Sequence, residues 1–161
     1  MNFRLSLLLL LVLISFSVYS QDTGKLNNIN SINIELGGFT PLGTVYYERV
    51  IINHQNFKTT GQIGYGIEGF PIIVNELVSF NSNHIEVGLG VLLPEHLTSS
   101  PLDITKPFLT GRIGYRYQKP NGRFVFRIGL MPIATQDSYG MNVITDNTWY
   151  VWPGISFGYA F

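Results

Sequence analysis

The last ten residues of the chain limit most strongly what it can fold into. From Ile155 to Phe161 every second side chain is large and apolar, and the alternate positions carry nothing larger than Ser156. Side chains alternate between the two faces of a β-strand, so this segment is predicted to be a strand with one broad apolar face and one narrow face. This pattern is typical of a membrane β-barrel, whose strands present apolar residues to lipid and small or polar residues to the interior.

The N-terminus predicts export. Arg4 supplies an early positive charge, residues 7–14 are uninterrupted apolar side chains, and Ser20 suits a cleavage site before Gln21. This pattern is typical of a secretory signal peptide, and the apolar run is shorter than the ~20 residues of a spanning helix. We therefore expect removal of residues 1–20 and one domain over residues 21–161. The chain has no cysteine, which excludes disulfides and a lipidated N-terminal cysteine.

Charged residues make up 12% of the chain, about half of the roughly 25% that is usual in a soluble domain. Acidic and basic residues are equal in number, ten of each, so nothing indicates a nucleic-acid partner. Strand-like runs recur between Gly, Pro, Asn and Asp clusters, and no amphipathic helix interrupts them. The fold class predicted is all-β, an eight-stranded antiparallel up-and-down transmembrane β-barrel. The predicted strands cover residues 31–39, 43–52, 57–68, 71–80, 83–93, 108–118, 122–133 and 150–161.

The predicted connections fall into two groups. Residues 53–56, 81–82 and 119–121 form short turns, whereas residues 94–107 and 134–149 form long loops. In an up-and-down barrel these groups lie at opposite ends, as do the short periplasmic turns and longer outer loops of outer-membrane barrels. The fourth strand has the weakest alternation, because Glu76 falls on the face predicted to meet lipid. The sequence leaves open whether Glu76 faces lipid, a neighbouring subunit or the lumen.

A soluble, lipocalin-like barrel that encloses an apolar ligand is the rival fold. It would turn the charged faces of the strands to water, and these faces are rich in glycine and would form a sparse polar coat. In a membrane barrel the same charges line the interior and must be paired there. We therefore expect an ion-pair network in the lumen. Its predicted members are Glu35, Glu48, Glu68, Glu86, Arg112, Arg116, Arg123 and Arg127.

Other side chains give weaker signals. Aromatic residues are predicted to form girdles at the membrane interfaces. They are Tyr46, Tyr47, Tyr65, Tyr115, Tyr117, Trp149, Trp152 and Tyr159. A catalytic reading has one candidate, the loop residues His96, Ser99, Ser100 and Asp103, but such residue types are common in any polar loop. The three histidines are far apart in sequence, so we expect no metal site. We also expect no cofactor and no enzymatic activity.

Several segments resemble a family of small outer-membrane β-barrel proteins of Gram-negative bacteria, most without an assigned activity. The resemblance rests on residues 45–49, 114–117, 124–132 and the Trp152-Pro153-Gly154 sequence that leads to Phe161. It implies location in the outer membrane and recognition of the terminal aromatic residues by the barrel-assembly machinery. The implied assembly signal is Phe157, Tyr159 and Phe161.

The sequence predicts a place and a shape more than an activity. We expect an integral outer-membrane barrel with a structural or interaction role, surrounded by outer-membrane lipid. Its long loops would contact an unknown protein or ligand, since binding residues are concentrated on loops. The alternative is a narrow channel or transport accessory, which requires a wet lumen.

Overall fold

The computed structural model describes residues 25–40, 43–94, 107–134 and 149–161. This part of the chain forms eight β-strands, and none of it forms a helix long and apolar enough to span a membrane. The strands are β1 (Asn30–Gly37), β2 (Thr44–Asn53), β3 (Phe57–Gly66), β4 (Gly69–Phe80), β5 (Asn83–Pro94), β6 (Phe108–Tyr117), β7 (Phe124–Ala134) and β8 (Trp149–Ala160).

The strands form one closed sheet. Each strand pairs antiparallel with its sequence neighbours, and β1 pairs with β8 to complete the barrel. The closing pairs run from Ser31 opposite Ala160 to Gly37 opposite Gly154. Closure removes the unpaired edges through which open sheets associate. The predicted eight-stranded antiparallel up-and-down barrel is therefore confirmed.

The barrel has two distinct ends. We call the end at which β1 begins and β8 finishes the terminal end, and the opposite one the loop end. The connections 54–56, 81–82 and 118–123 lie at the terminal end, and the connections 38–43, 67–68, 95–107 and 135–148 lie at the loop end. Most of each predicted long loop falls outside the described residues.

Strand boundaries differ most from the prediction between β3 and β4. Instead of ending at residue 68, β3 ends at Gly66, and β4 begins at Gly69 rather than at residue 71. Ile67 and Glu68 therefore form a tight hairpin turn. Gly69 has a φ of 140°, a conformation that favours glycine, and this permits so short a connection.

Alternation of side chains sets which residues face the lumen. In β2, Thr44, Tyr46 and Glu48 are buried inside the barrel, while Val45 and Tyr47 are exposed on its outer wall. The outer wall consequently carries a continuous set of large apolar residues on all eight strands. The inner wall carries the polar and charged ones.

Strand β4 follows a different pattern on its inner face. Ile73 and Leu77 point inward and are 2% and 0% exposed, although most strands turn polar residues inward. Glu76 lies on the outer wall, where its Oε1 accepts a hydrogen bond of 2.7 Å from the Thr59 hydroxyl. The blurred alternation of this strand thus reflects apolar residues on both faces, with one carboxylate on the outside.

Buried apolar side chains are grouped at the loop end of the lumen, and one, Leu26, lies at the terminal end. Towards the loop end, buried residues form two small clusters, one of which includes Phe39, Ile73 and Met131. At the terminal end, Leu26 is 2% exposed, and its backbone N–H donates to Asn53 Oδ1 at 3.2 Å. The next backbone N–H, that of Asn27, donates to the Pro120 carbonyl at 3.0 Å. The segment before β1 therefore joins the β2–β3 and β6–β7 connections. The second cluster at the loop end consists of Leu92, Phe108 and Ile133, and Trp152 packs against it.

Candidate functional site

The centre of the lumen holds six charged side chains drawn from five different strands. Glu48 on β2 accepts from Arg116 Nη1 on β6, with 2.7 Å between Nη1 and Oε1. Its other oxygen, Oε2, is bound by Arg127 Nη2 on β7 and lies 2.5 Å from Gln62 Nε2 on β3. Glu48 therefore balances two arginines and has a hydrogen bond at both carboxylate oxygens.

Two further acids extend this arrangement. Glu86 Oε2 lies 3.1 Å from Arg127 Nε, and its Oε1 lies 3.4 Å from Arg112 Nη1. Arg112 also binds Glu35 Oε2 through its Nη2. Charges alternate in sign along the whole series, and each member is at most 3% exposed. We call the series the ion-pair chain; in order it consists of Arg116, Glu48, Arg127, Glu86, Arg112 and Glu35.

Aromatic rings pack against the arginines of the ion-pair chain. The guanidinium of Arg112 lies 4.3 Å from the ring centroid of Phe39, a cation–π arrangement. Tyr46 accepts a hydrogen bond of 2.6 Å from Arg127 Nη1 and shares another, of 2.8 Å, with the Ser156 hydroxyl. The arginines are thus enclosed by aromatic carbon as well as by carboxylates. This packing shields the charges from bulk solvent.

Two aromatic residues differ from the predicted girdle. Tyr46 is 3% exposed and lies inside the barrel, and Trp152 packs against the inner apolar cluster. The sequence contained the signal for both, since Tyr46 shares its parity with Glu48 and Trp152 shares its parity with Ser156. Tyr47, Tyr65, Tyr115 and Tyr159 are exposed on the outer wall. The side chain of Trp149 is outside the described part of the structure.

Two of the predicted network residues lie elsewhere. Arg123 is exposed, and its Nη1 donates to the Tyr159 hydroxyl at 2.8 Å on the outer wall. The prediction assumed strand alternation from residue 122, whereas β7 begins at Phe124, so that rule does not apply to Arg123. Glu68 is buried, but it lies in the β3–β4 turn and has no ion-pair partner among the described residues. Burial raises the pKa of the Glu68 carboxyl above its ordinary value.

The structure adds a polar cluster near the terminal end that the sequence did not indicate as a unit. Ser79 Oγ lies 2.8 Å from Lys58 Nζ and 2.8 Å from His84 Nδ1. His84 Nε2 faces the Gln118 carbonyl at 3.2 Å, which places the ring proton on Nε2 and leaves Nδ1 to accept from Ser79. A serine paired with a base resembles a nucleophile, but all three side chains are 1% exposed. The cluster is therefore closed to solvent in the described structure.

The remaining predicted residues are separate from the lumen or from the described chain. Phe157, Tyr159 and Phe161 lie on the outer wall and are 48%, 52% and 52% exposed. The loop residues His96, Ser99, Ser100 and Asp103 lie outside the described residues. Within residues 25–40, 43–94, 107–134 and 149–161, no group of three or more His, Cys, Asp or Glu side chains forms a metal-binding cluster.

The ion-pair chain is therefore the principal polar feature of the barrel, and its chemistry is that of a filled interior. Its carboxylates are paired with guanidinium groups, and each of its side chains is at most 3% exposed. Comparison with known proteins supplies no family for it: no protein-family model matches the chain, and no curated protein or solved structure is significantly similar to it.

Proposed function

We propose that the protein is an integral barrel of a Gram-negative outer membrane, with a structural or interaction role and a closed, non-conducting lumen. The observation that carries this proposal is the inverted polarity of the barrel. Leu89 is 77% and Leu109 70% exposed on the outer wall, whereas Arg112 and Arg116 are 2% and 1% exposed inside. A water-soluble protein has the opposite arrangement, because exposed apolar area and buried charge both cost free energy in water.

The extent of the apolar wall supports insertion in lipid rather than contact with one partner. Exposed apolar residues occur on every strand, including Ile34 on β1, Ile63 on β3 and Ile128 on β7. A protein interface would occupy one side of the barrel, since a stable interface usually covers about 800 Å² of each partner. A surrounding apolar band matches the hydrocarbon layer of a bilayer.

The filled lumen supports the structural role over the channel alternative. An eight-stranded barrel has an interior just wide enough for side chains. Here the ion-pair chain occupies the centre, and buried apolar residues such as Met131 pack towards the loop end. We infer that interaction partners bind at the loop end, where the connections around residues 94–107 and 134–149 emerge.

Export and assembly complete the proposal. We infer that residues 1–20 are a cleaved signal peptide and that the outward Phe157, Tyr159 and Phe161 form the signal for the barrel-assembly machinery. The mass of the mature protein tests the first point, because cleavage after Ser20 gives an N-terminal Gln21.

Gel mobility of outer-membrane fractions with and without boiling tests membrane insertion. We expect the unboiled protein in the outer-membrane fraction to migrate differently from the boiled protein, since a closed barrel resists unfolding by detergent. A soluble periplasmic protein without this mobility shift would refute the proposal.

Planar-bilayer recording distinguishes the closed barrel from a channel. Purified protein is expected to insert without producing conductance steps, because side chains fill the lumen. Reproducible single-channel steps from wild-type protein, absent from a mock preparation, would favour the channel alternative.

A further inference from the structure

A buried carboxylate at the loop end has no counter-ion among the described residues. Glu68 is 2% exposed, and neither of its carboxylate oxygens has a hydrogen-bond partner in the described structure. The arginines of the ion-pair chain are bound to other acids and form no ion pair with it. Buried polar groups are nearly always satisfied, and a buried ionised carboxylate requires a partner of opposite charge.

The polar groups around this carboxylate bind one another. The Thr40 hydroxyl is its neighbour, and the geometry leaves both carboxylate oxygens without a hydrogen-bond partner in the described structure. That hydroxyl has a single proton, which it donates to the Gly43 carbonyl at 2.7 Å. Its oxygen lies 2.9 Å from the Thr44 hydroxyl oxygen. The Gly43 N–H also donates to the Thr40 hydroxyl oxygen, at 3.3 Å, so the donors of these neighbours are already engaged with one another and not with Glu68.

A glycine makes this close approach possible. A Cβ atom at Gly66 would lie 2.9 Å from Thr40 Oγ1 and 3.0 Å from Thr44 Oγ1, so any larger residue would displace both hydroxyls. Gly66 directly precedes the Ile67–Glu68 turn, and the Glu68 carboxyl that follows it is a neighbour of the Thr40 side chain. Three parts of the chain thus converge: the β1–β2 connection, the start of β2 and the β3–β4 turn. We call the Glu68 carboxylate, the Thr40 and Thr44 hydroxyls and the Gly43 carbonyl the oxygen cluster.

We propose that the oxygen cluster binds a divalent metal cation, with Ca²⁺ as the best fit. Ca²⁺ takes oxygen ligands only, accepts carboxylate and carbonyl groups in flexible geometry, and completes its shell with water. A cation also supplies the positive charge that Glu68 lacks. Because the site has one carboxylate, its affinity belongs to the weak class of calcium sites, with a dissociation constant of about 10⁻⁴–10⁻³ M. The proposal does not depend on insertion of the barrel in a membrane.

Isothermal titration of the EDTA-treated barrel with CaCl₂ in a zwitterionic detergent tests this site. Wild-type protein is expected to bind Ca²⁺ saturably at one site. Glu68→Gln, which keeps the shape and removes the charge, should weaken binding at least about tenfold, as loss of the only anionic ligand requires. The matched control is Glu76→Gln, because Glu76 is the exposed carboxylate of the next strand, and this variant should bind within about twofold of wild type.

Thr44→Val provides a second variant in case Glu68→Gln does not fold. It replaces a hydroxyl by a methyl group of the same shape and should also weaken Ca²⁺ binding. Absence of saturable binding by wild-type protein would overturn the proposal, whichever variants fold. Equal binding by wild type and Glu68→Gln would overturn it as well, since the bound cation would then lie elsewhere.

Discussion

Neutralising Glu48 tests whether the interior is dry and paired. Glu48 is the acid of both Arg116 and Arg127, but the two arginines depend on it to different degrees. Arg127 retains Glu86, with 3.1 Å between Nε and Oε2, whereas Arg116 has no other carboxylate within ion-pair distance in the described structure. Glu48→Gln therefore leaves one buried cation without a counter-ion. A loss of this kind costs about 3–5 kcal/mol of unfolding free energy.

Glu86→Gln is the matched control. Glu86 is as buried as Glu48, but its loss leaves Arg127 with Glu48 and Arg112 with Glu35. We expect a cost of about 1.5–3 kcal/mol, the size of a hydrogen bond to a charged group. Urea unfolding of the refolded barrel in lipid vesicles, followed by tryptophan fluorescence, measures both. Equal costs, or a cost under about 1 kcal/mol for Glu48→Gln, would refute the reasoning, because a lumen filled with water screens such charges.

Three further predictions concern the outer wall and the loop end. Leu89→Arg should lower the free energy of unfolding in vesicles by about 2–4 kcal/mol and reduce the assembled fraction, since Leu89 faces lipid in our proposal. An unchanged free energy of unfolding in this variant would favour the soluble barrel. Phe161→Ala should reduce the amount of protein in the outer membrane more than Phe124→Ala does. Phe124 is the control because its side chain is 54% exposed and that of Phe161 is 52% exposed. An equal reduction by the two variants would argue against a terminal assembly signal. In EDTA, Glu68→Gln should be more stable than wild type at pH 8. The raised pKa of Glu68 means that the folded state binds the proton more tightly than the unfolded state does. The difference in stability between the variant and wild type should therefore shrink as the pH falls through the raised pKa towards 4.5. A stability difference that is constant with pH would contradict this prediction.

Wall assignment was predictable from sequence wherever strand alternation holds. Glu35, Glu48, Glu86, Arg112, Arg116 and Arg127 all follow the period of two, and all lie in the lumen. The inward position predicted for Arg123 was wrong because Arg123 precedes the first residue of β7. Strand boundaries are the least certain part of a structure predicted from sequence. Lys58 is a further buried cation, and its ammonium donates to the Gln55 carbonyl at 3.1 Å and to Ser79.

Partners within the lumen could not be read from the sequence. Glu35 and Arg112, which form one ion pair, are separated by 77 residues, and Arg116 and Glu48 by 68. Which acid meets which arginine depends on the register of every strand pair between them and on the direction of each side chain across the barrel. The isolation of Glu68 has the same origin, because it depends on where β3 ends and on which groups the β1–β2 connection brings to the turn.

The sequence by itself determined the number of strands, their order and the polarity of their two faces. These properties depend on the local alternation of side chains and on turn residues, which act over a few positions. Only the tertiary structure decided the order of charges in the ion-pair chain, the hydrogen-bond partners of Tyr46 and the convergence of the oxygen cluster. These depend on closure of the sheet, which brings distant residues together across a space that no local pattern describes.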